Sequence, residues 1–219
     1  MILEPKLQSL WISILFISNN YLQKSANLYF RKGGPRDFGL LRCVKMKELK
    51  EYVRSIPDFP EPGIIFRDVT TILQDPDGLC LSIDELRGKL QGLDYNMIVG
   101  PESRGFIFGV PVAYAEHKAF IPVRKKGKLP CETVSIDYDL EYGKATIEIH
   151  KDAIKPGDKV VIVDDLIATG GTTEAIAKLV ESLGGEIVKI VFVMELEGLK
   201  GREKLSKYNV DSLIKYEGK

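Results

Sequence analysis

The chain has 219 residues, 44% of them hydrophobic and 28% charged, with 20 Gly and 11 Pro, values that describe a soluble globular protein with one core of ordinary size. Lys plus Arg equals Asp plus Glu at 31 each, so global charge offers nothing for a nucleic acid or an anionic membrane, and any phosphate affinity must come from local clustering. Cys43, Cys80 and Cys131 share no metal-ligand spacing and His117 and His150 stand far apart, which argues against a Cys/His zinc site and for free thiols in a reducing, cytoplasmic setting.

Residues 1–45 differ from the rest. The run LWISILFI at 10–17 is apolar but too short to cross a bilayer, which takes about 20 residues. Neither basic residues before it nor a small-residue cleavage site after it mark a secretory signal. Residues 18–45 are polar and basic, broken at Gly33-Gly34-Pro35. This extension reads as a dispensable arm or an upstream start-site assignment, with no chemistry and no membrane anchor expected; the main domain is set at 46–219.

Residues 46–56 carry Leu49, Tyr52, Val53 and Ile56 on one stripe, which predicts an amphipathic helix ended by Pro57. The Pro-rich stretch 57–63 predicts a rigid loop feeding 64–68 (IIFRD). A turn at 75–78, a helix over 79–90 and a short strand over 96–99 follow. The loop 100–105 (GPESRG) then opens a helix over 106–116, with a kink expected at Pro111. The strand 119–123 leads into 124–130 (RKKGKLP). From 132 to 150 the alternation turns to period two about a turn at Tyr142-Gly143-Lys144, which predicts an antiparallel hairpin with one wet face.

The stretch 159–175 (KVVIVDDLIATGGTTEA) organises the chain. Val160, Val161, Ile162 and Val163 read as a strand buried on both faces. Asp164 and Asp165 follow, then the loop Ala168-Thr169-Gly170-Gly171-Thr172, then Ala175, Ile176, Leu179 and Val180 at helical spacing. Further strands are predicted over 186–194 and, at the edge, 210–214. Strands alternating with helices imply an α/β fold: a doubly wound, mainly parallel sheet with the hairpin as an inserted flap.

In such sheets ligands sit at the carboxyl ends of strands. A Gly-rich turn opening a helix offers unpaired N–H groups to an anion. The bland alternative is an ordinary strand-to-helix turn. The acidic pair points elsewhere, since carboxylates repel a phosphate unless they face something such as the vicinal hydroxyls of a ribose. A phosphate loop beside acids for a sugar diol suggests a ribose 5-phosphate site. Ser103-Arg104-Gly105 forms a second anion-ready turn, and the cations of 124–128 are placed to meet a pyrophosphate. Phe66-Arg67 sets an aromatic face beside a cation, and Glu141-Tyr142-Gly143 occupies the hairpin tip.

The element VVIVDDLIATGGTT resembles the phosphoribosyl-diphosphate signature of the type I phosphoribosyltransferases. From about residue 46 to 217, PDFPxPGIIFRD, ESRGF, VRKKGKLP, LEYGK and MELEGLKGREKL together resemble the adenine phosphoribosyltransferases within that family. The resemblance implies the family's sheet with a flap hairpin and a small N-terminal hood, and Mg²⁺-assisted transfer of ribose 5-phosphate from phosphoribosyl diphosphate to N9 of adenine. It places the 5-phosphate on Ala168, Thr169, Gly170, Gly171 and Thr172, and the ribose hydroxyls on Asp164 and Asp165. Ser103, Arg104, Lys125 and Lys128 take the pyrophosphate, across a Glu102–Ser103 peptide that is often cis in the family. Phe66 and Leu166 grip adenine, with Ile65 and Arg67 reading its edge. Glu141 and Tyr142 close as a flap, Glu141 managing a proton on the purine. Arg124 reaches a neighbouring subunit's site in a homodimer, and magnesium enters mainly through the substrate, without a protein metal site. The chemistry needs no nucleophilic side chain, in keeping with the lack of a Ser/His or Cys/His arrangement. Two rival readings stand beside this one: transfer to another purine base, or a purine-responsive regulator, for which the winged-helix domain or basic face needed to bind nucleic acid is missing.

Overall fold

Four consecutive β-branched residues cannot share one face of a strand, so the fold must supply an apolar layer on each side. A computed structural model shows both layers; it describes residues 47–140 and 143–218, with Asp139 and Leu140 described through the backbone alone. Val161 and Val163 pack into one core with Leu86, Phe108 and Val112, while Val160 and Ile162 pack into another with Ile176, Leu179 and Val180. All of these side chains are buried.

In chain order the described elements are β1 (Arg54–Pro57), β2 (Ile65–Asp68), α1 (Thr70–Gln74), α2 (Pro76–Gly88), β3 (Met97–Pro101), α3 (Arg104–Ala115), β4 (Ala119–Lys125), β5 (Thr133–Leu140), β6 (Gly143–His150), β7 (Lys159–Ile167), α4 (Gly171–Ser182), β8 (Glu186–Leu196), α5 (Gly201–Lys204) and β9 (Val210–Tyr216). Seven strands form one sheet in the order β5-β6-β4-β3-β7-β8-β9, and β1 pairs with β2 apart from it. β4, β3, β7, β8 and β9 run parallel, whereas β6 joins β4 antiparallel and carries β5 as a hairpin. This is the doubly wound α/β sheet with a hairpin that the sequence predicts. The chain leaves β3 through α3 towards β4 and leaves β7 through α4 towards β8. Between the carboxyl ends of β3 and β7 the path divides, and a crevice opens there.

Several local expectations are corrected. The helix over 46–56 is not formed in the described part: a single 3₁₀ turn, Leu49–Tyr52, precedes β1. Leu49 and Val53 are buried as their stripe predicts. Strand pairing overrides the helical period beyond them, with Arg54 opposite Asp68 and Ile56 opposite Phe66, and the Arg54 guanidinium donating to Asp68 at 2.7 Å. The turn at 75–78 is the start of α2, where Pro76 stands in the first turn and the Asp75 carboxylate accepts from the N–H groups of Asp77 and Gly78, a capping arrangement. The α3 helix begins at Arg104, two residues earlier than predicted, and continues past Pro111. β7 runs through both aspartates to Ile167 instead of ending before them. The wet face of the hairpin fails at Glu148, which is 4% exposed, because it accepts from the backbone N–H groups of Lys128 and Leu129, each at 3.0 Å. Residues 1–45 lie outside the described residues. Among the described residues no helix is long and apolar enough to cross a membrane.

Ile162 is fully enclosed at the middle of β7, so Ile162→Ala should cost about 2–5 kcal/mol through lost transfer energy and a residual cavity. Urea denaturation measures this, and a loss below about 1 kcal/mol would contradict a close-packed centre.

Candidate active site

The crevice between β3 and β7 is a cleft of about 290 Å³ lined by residues 101–104, Tyr138 and 164–173. Its floor is set by β7. A strand enclosed on both faces carries Asp164 and Asp165 in with it, leaving them 8% and 3% exposed. Asp164 Oδ1 accepts from the Asp165 backbone N–H at 2.8 Å. Burial raises the pKa of both carboxyls; the neighbouring Asp165 charge pushes Asp164 well above the usual range, while Arg104 pulls in the opposite direction. Arg104 Nε lies 2.9 Å from Asp165 Oδ2. That approach lacks hydrogen-bond alignment, so Asp165 Oδ2 remains a buried acceptor without a donor.

Two helix starts flank the pair. Gly170, in the left-handed region at φ +77, precedes α4 with no side-chain cap, and Ser103 precedes α3 likewise uncapped. The first N–H groups of a helix have no intrahelical acceptor and carry the positive end of its dipole. The cleft is thus bounded by two anion-attracting termini with two carboxylates between them. The Glu102–Ser103 peptide is cis, as the sequence motif suggests.

The cationic loop after β4 is fixed by two glutamates for which sequence reasoning gave no role. Glu102 accepts from the Lys125 N–H at 2.9 Å and from Arg124 Nε at 2.8 Å. The Lys125 N–H chiefly, then Arg124, holds its carboxyl below the usual range despite burial. Glu148 takes the other end of the loop, and its pKa is lowered first of all by the Leu129 N–H. Lys125, Lys126 and Lys128 are left exposed. Arg124, expected to reach a neighbouring subunit, is bonded to Glu102 and to the Lys128 carbonyl of its own chain.

Of the sequence-predicted site residues, Ser103, Arg104, Asp164, Asp165, Leu166, Ala168, Thr169, Gly170, Gly171 and Thr172 come together as lining of this cleft. Arg124, Lys125, Lys128, Ile65, Phe66 and Arg67 do not line it. Phe66 meets Phe59 edge to face at 5.3 Å, and the Arg67 guanidinium lies 4.1 Å over the Tyr216 ring. Glu141 and Tyr142 lie outside the described residues. Tyr138 was missed: its hydroxyl accepts from Thr172 Oγ1 at 3.4 Å, joining the hairpin to the loop. Only its place in the alternating pattern of β5 hinted at this. Among the described residues no cluster of three or more His, Cys, Asp or Glu could hold a metal unaided.

Comparison with known proteins fits this geometry. Residues 81–218 match the phosphoribosyl transferase domain family. An adenine phosphoribosyltransferase of Lachnoclostridium phytofermentans is 74% identical over 174 residues, covering 80% of this chain and 100% of that one. The crystal structure of adenine phosphoribosyltransferase from Thermoanaerobacter pseudethanolicus superposes with a TM-score of 0.74 at 54% identity, over 77% of this chain and 98% of that chain. The Saccharomyces cerevisiae enzyme, complexed with an imino-altritol bisphosphate and adenine, gives 0.71 at 44% identity, over 75% of this chain and 96% of that chain.

The buried acidic pair has a stability consequence. Because the Asp164 pKa is raised in the fold, its contribution to stability is fully present below the unfolded pKa and is lost as pH rises through the folded one. Asp164→Asn removes that loss, and its amide oxygen can keep the bond to the Asp165 N–H. The variant should melt above the wild type at about pH 8, with the gap closing towards about pH 4. Thermal melting across that range checks it; a variant melting lower at the alkaline end contradicts a repulsive buried pair.

Proposed function

We infer the function from one premise: the chain belongs to the phosphoribosyltransferase family and, within it, to the adenine phosphoribosyltransferases. The reaction is transfer of ribose 5-phosphate from phosphoribosyl diphosphate to N9 of adenine, giving AMP and pyrophosphate in purine salvage. The observation that carries this reading to the residues is the meeting of two uncapped helix starts about a buried carboxylate pair.

The start of α4, with Ala168, Thr169, Gly170, Gly171 and Thr172, takes the 5-phosphate on backbone N–H groups and hydroxyls. Asp164 and Asp165 accept from the ribose 2- and 3-hydroxyls, which gives Asp165 Oδ2 the donor it lacks and offsets the cost of burying it. Ser103, Arg104, Lys125 and Lys128 draw the pyrophosphate to the other side of the sugar. As the bond from C1 to pyrophosphate breaks, positive charge grows on the ribose and negative charge on the leaving group. The carboxylates face the first and the cations the second. Leu166 borders the cleft where the base must approach C1, with Phe66 as the second wall and Ile65 and Arg67 at the purine edge. Glu141 and Tyr142, by resemblance to the family's flap, close over the site and exclude water.

Magnesium enters with phosphoribosyl diphosphate, as in the family the chain resembles, beside the carboxylates of Asp164 and Asp165. When bound, it supplies charge neutralisation to the leaving pyrophosphate. A cytoplasmic homodimer completes the reading. Cys80 and Cys131 are free thiols, and α3 exposes Ile107, Val110 and Tyr114 at helical spacing, Tyr114 being 88% exposed, a patch suited to a second copy. Analytical ultracentrifugation giving only monomer would remove that part.

The test of function is AMP formation from adenine, phosphoribosyl diphosphate and magnesium, by the full chain and by a protein beginning at Met46, with equal rates expected. Asp165→Asn should lower kcat/KM for phosphoribosyl diphosphate by about ten- to a hundredfold, from a charge-assisted bond worth about 1.5–3 kcal/mol. Absence of AMP, or an unchanged kcat/KM in the variant, contradicts the assignment.

A further inference from the structure

The segment 197–205 has no part in the chemistry described so far, yet it packs backbone to backbone against the loop 168–170. Gly170 has no room for a side chain: a Cβ there would stand 2.5 Å from the Gly201 carbonyl oxygen. A Cβ on Gly201 would in turn strike the Ala168 carbonyl oxygen and stand 2.8 Å from Ile167 Cγ1. Gly201 thus fills the space a side chain on Gly170 would need, Ala168 and Ile167 fill the space one on Gly201 would need, and both glycines are buried.

The next residue fixes this contact to the sheet. Arg202 donates from Nε and Nη2 to the two oxygens of Glu195 at 2.6 and 2.7 Å, from Nη1 to the Val210 carbonyl at 2.8 Å and from Nη2 to Ser212 Oγ at 3.1 Å. Ser212 Oγ donates to Glu195 Oε2 at 2.5 Å. Glu195 is 3% exposed; burial alone would raise its pKa, but Arg202 and Ser212 lower it below the usual range. A forked guanidinium tying β8 to β9 in this way has little rotational freedom, and it holds Gly201, its neighbour in sequence, at a fixed height behind the loop.

We propose that Gly201 and Arg202 are positioning residues for the 5-phosphate: a brace from β8 and β9 that presses on the back of the loop 168–170 and holds the start of α4 in register for the anion. The proposal rests on assigning that loop to the 5-phosphate. It predicts an effect confined to one of the two anion subsites, because the brace touches the start of α4 and not the start of α3.

Isothermal titration of the full chain with AMP and, separately, with inorganic pyrophosphate tests it. Gly201→Ala should weaken AMP at least tenfold and leave pyrophosphate within twofold. Arg202→Lys, which keeps the charge but loses the fork, should weaken AMP at least threefold with the same selectivity, and serves alone if Gly201→Ala does not fold. Thr172→Val removes a donor from the loop itself and should weaken AMP too. Unchanged AMP affinity in Thr172→Val overturns the loop assignment and the brace with it. Loss in Thr172→Val with wild-type AMP affinity in both brace variants overturns the brace alone. Equal loss of AMP and pyrophosphate in Gly201→Ala means general damage and also overturns it.

Discussion

Asp164 and Asp165 sit side by side in the continuation of a strand whose other residues are enclosed on both faces, and most of the site follows from that constraint. Two adjacent carboxylates in low-dielectric surroundings repel each other and are poorly solvated. They persist because β7 is held by β3 on one side and β8 on the other, and because Arg104 approaches one of them. Burying Asp165 with one oxygen outside any aligned hydrogen bond is thus a cost that packing elsewhere offsets. Ground-state strain of this kind is common where a site is organised for its ligand before the ligand binds.

The sheet topology supplies the rest. Since α3 and α4 leave from adjacent parallel strands towards opposite sides, their amino ends converge on the same crevice while their bodies diverge to cover opposite faces. One arrangement therefore builds two cores and two anion-attracting termini. From the edge of the same sheet the hairpin reaches the crevice through Tyr138, while the cationic loop after β4, tied down by Glu102 and Glu148, stays outside its lining. Electrostatic preorganisation here lies largely in backbone N–H groups held by secondary structure, which need no rearrangement as charge develops.

What the sequence made legible was whatever depends on near neighbours. The run from Val160 to Val163, the acidic pair and the Gly-Thr loop lie in one stretch, so the buried strand, the helix start and the site between them could be read directly. Residues whose role depends on distant partners could not. Glu148 looks like a wet-face residue of a hairpin, and its acceptors' partners are N–H groups 19 and 20 residues away. Tyr138 reaches Thr172 across 34 residues, and Gly201 meets a loop that the sequence places far before it. The stripe Leu49, Tyr52, Val53 and Ile56 gave burial correctly at Leu49 and Val53 but the wrong element, because pairing with β2 decides the backbone beyond them. Motif resemblance, rather than periodicity, suggested the roles proposed for Phe66, Leu166 and Glu141.

The central claim is that the two helix starts serve as separate anion sites on either side of the carboxylate pair. Amide ¹⁵N–¹H chemical shifts of the full chain, followed during titration with AMP and with pyrophosphate, test it most directly. AMP should move the amides of Gly171, Thr172 and Thr173, and pyrophosphate those of Arg104 and Gly105. Both ligands moving one common set, or neither helix start responding, would contradict it.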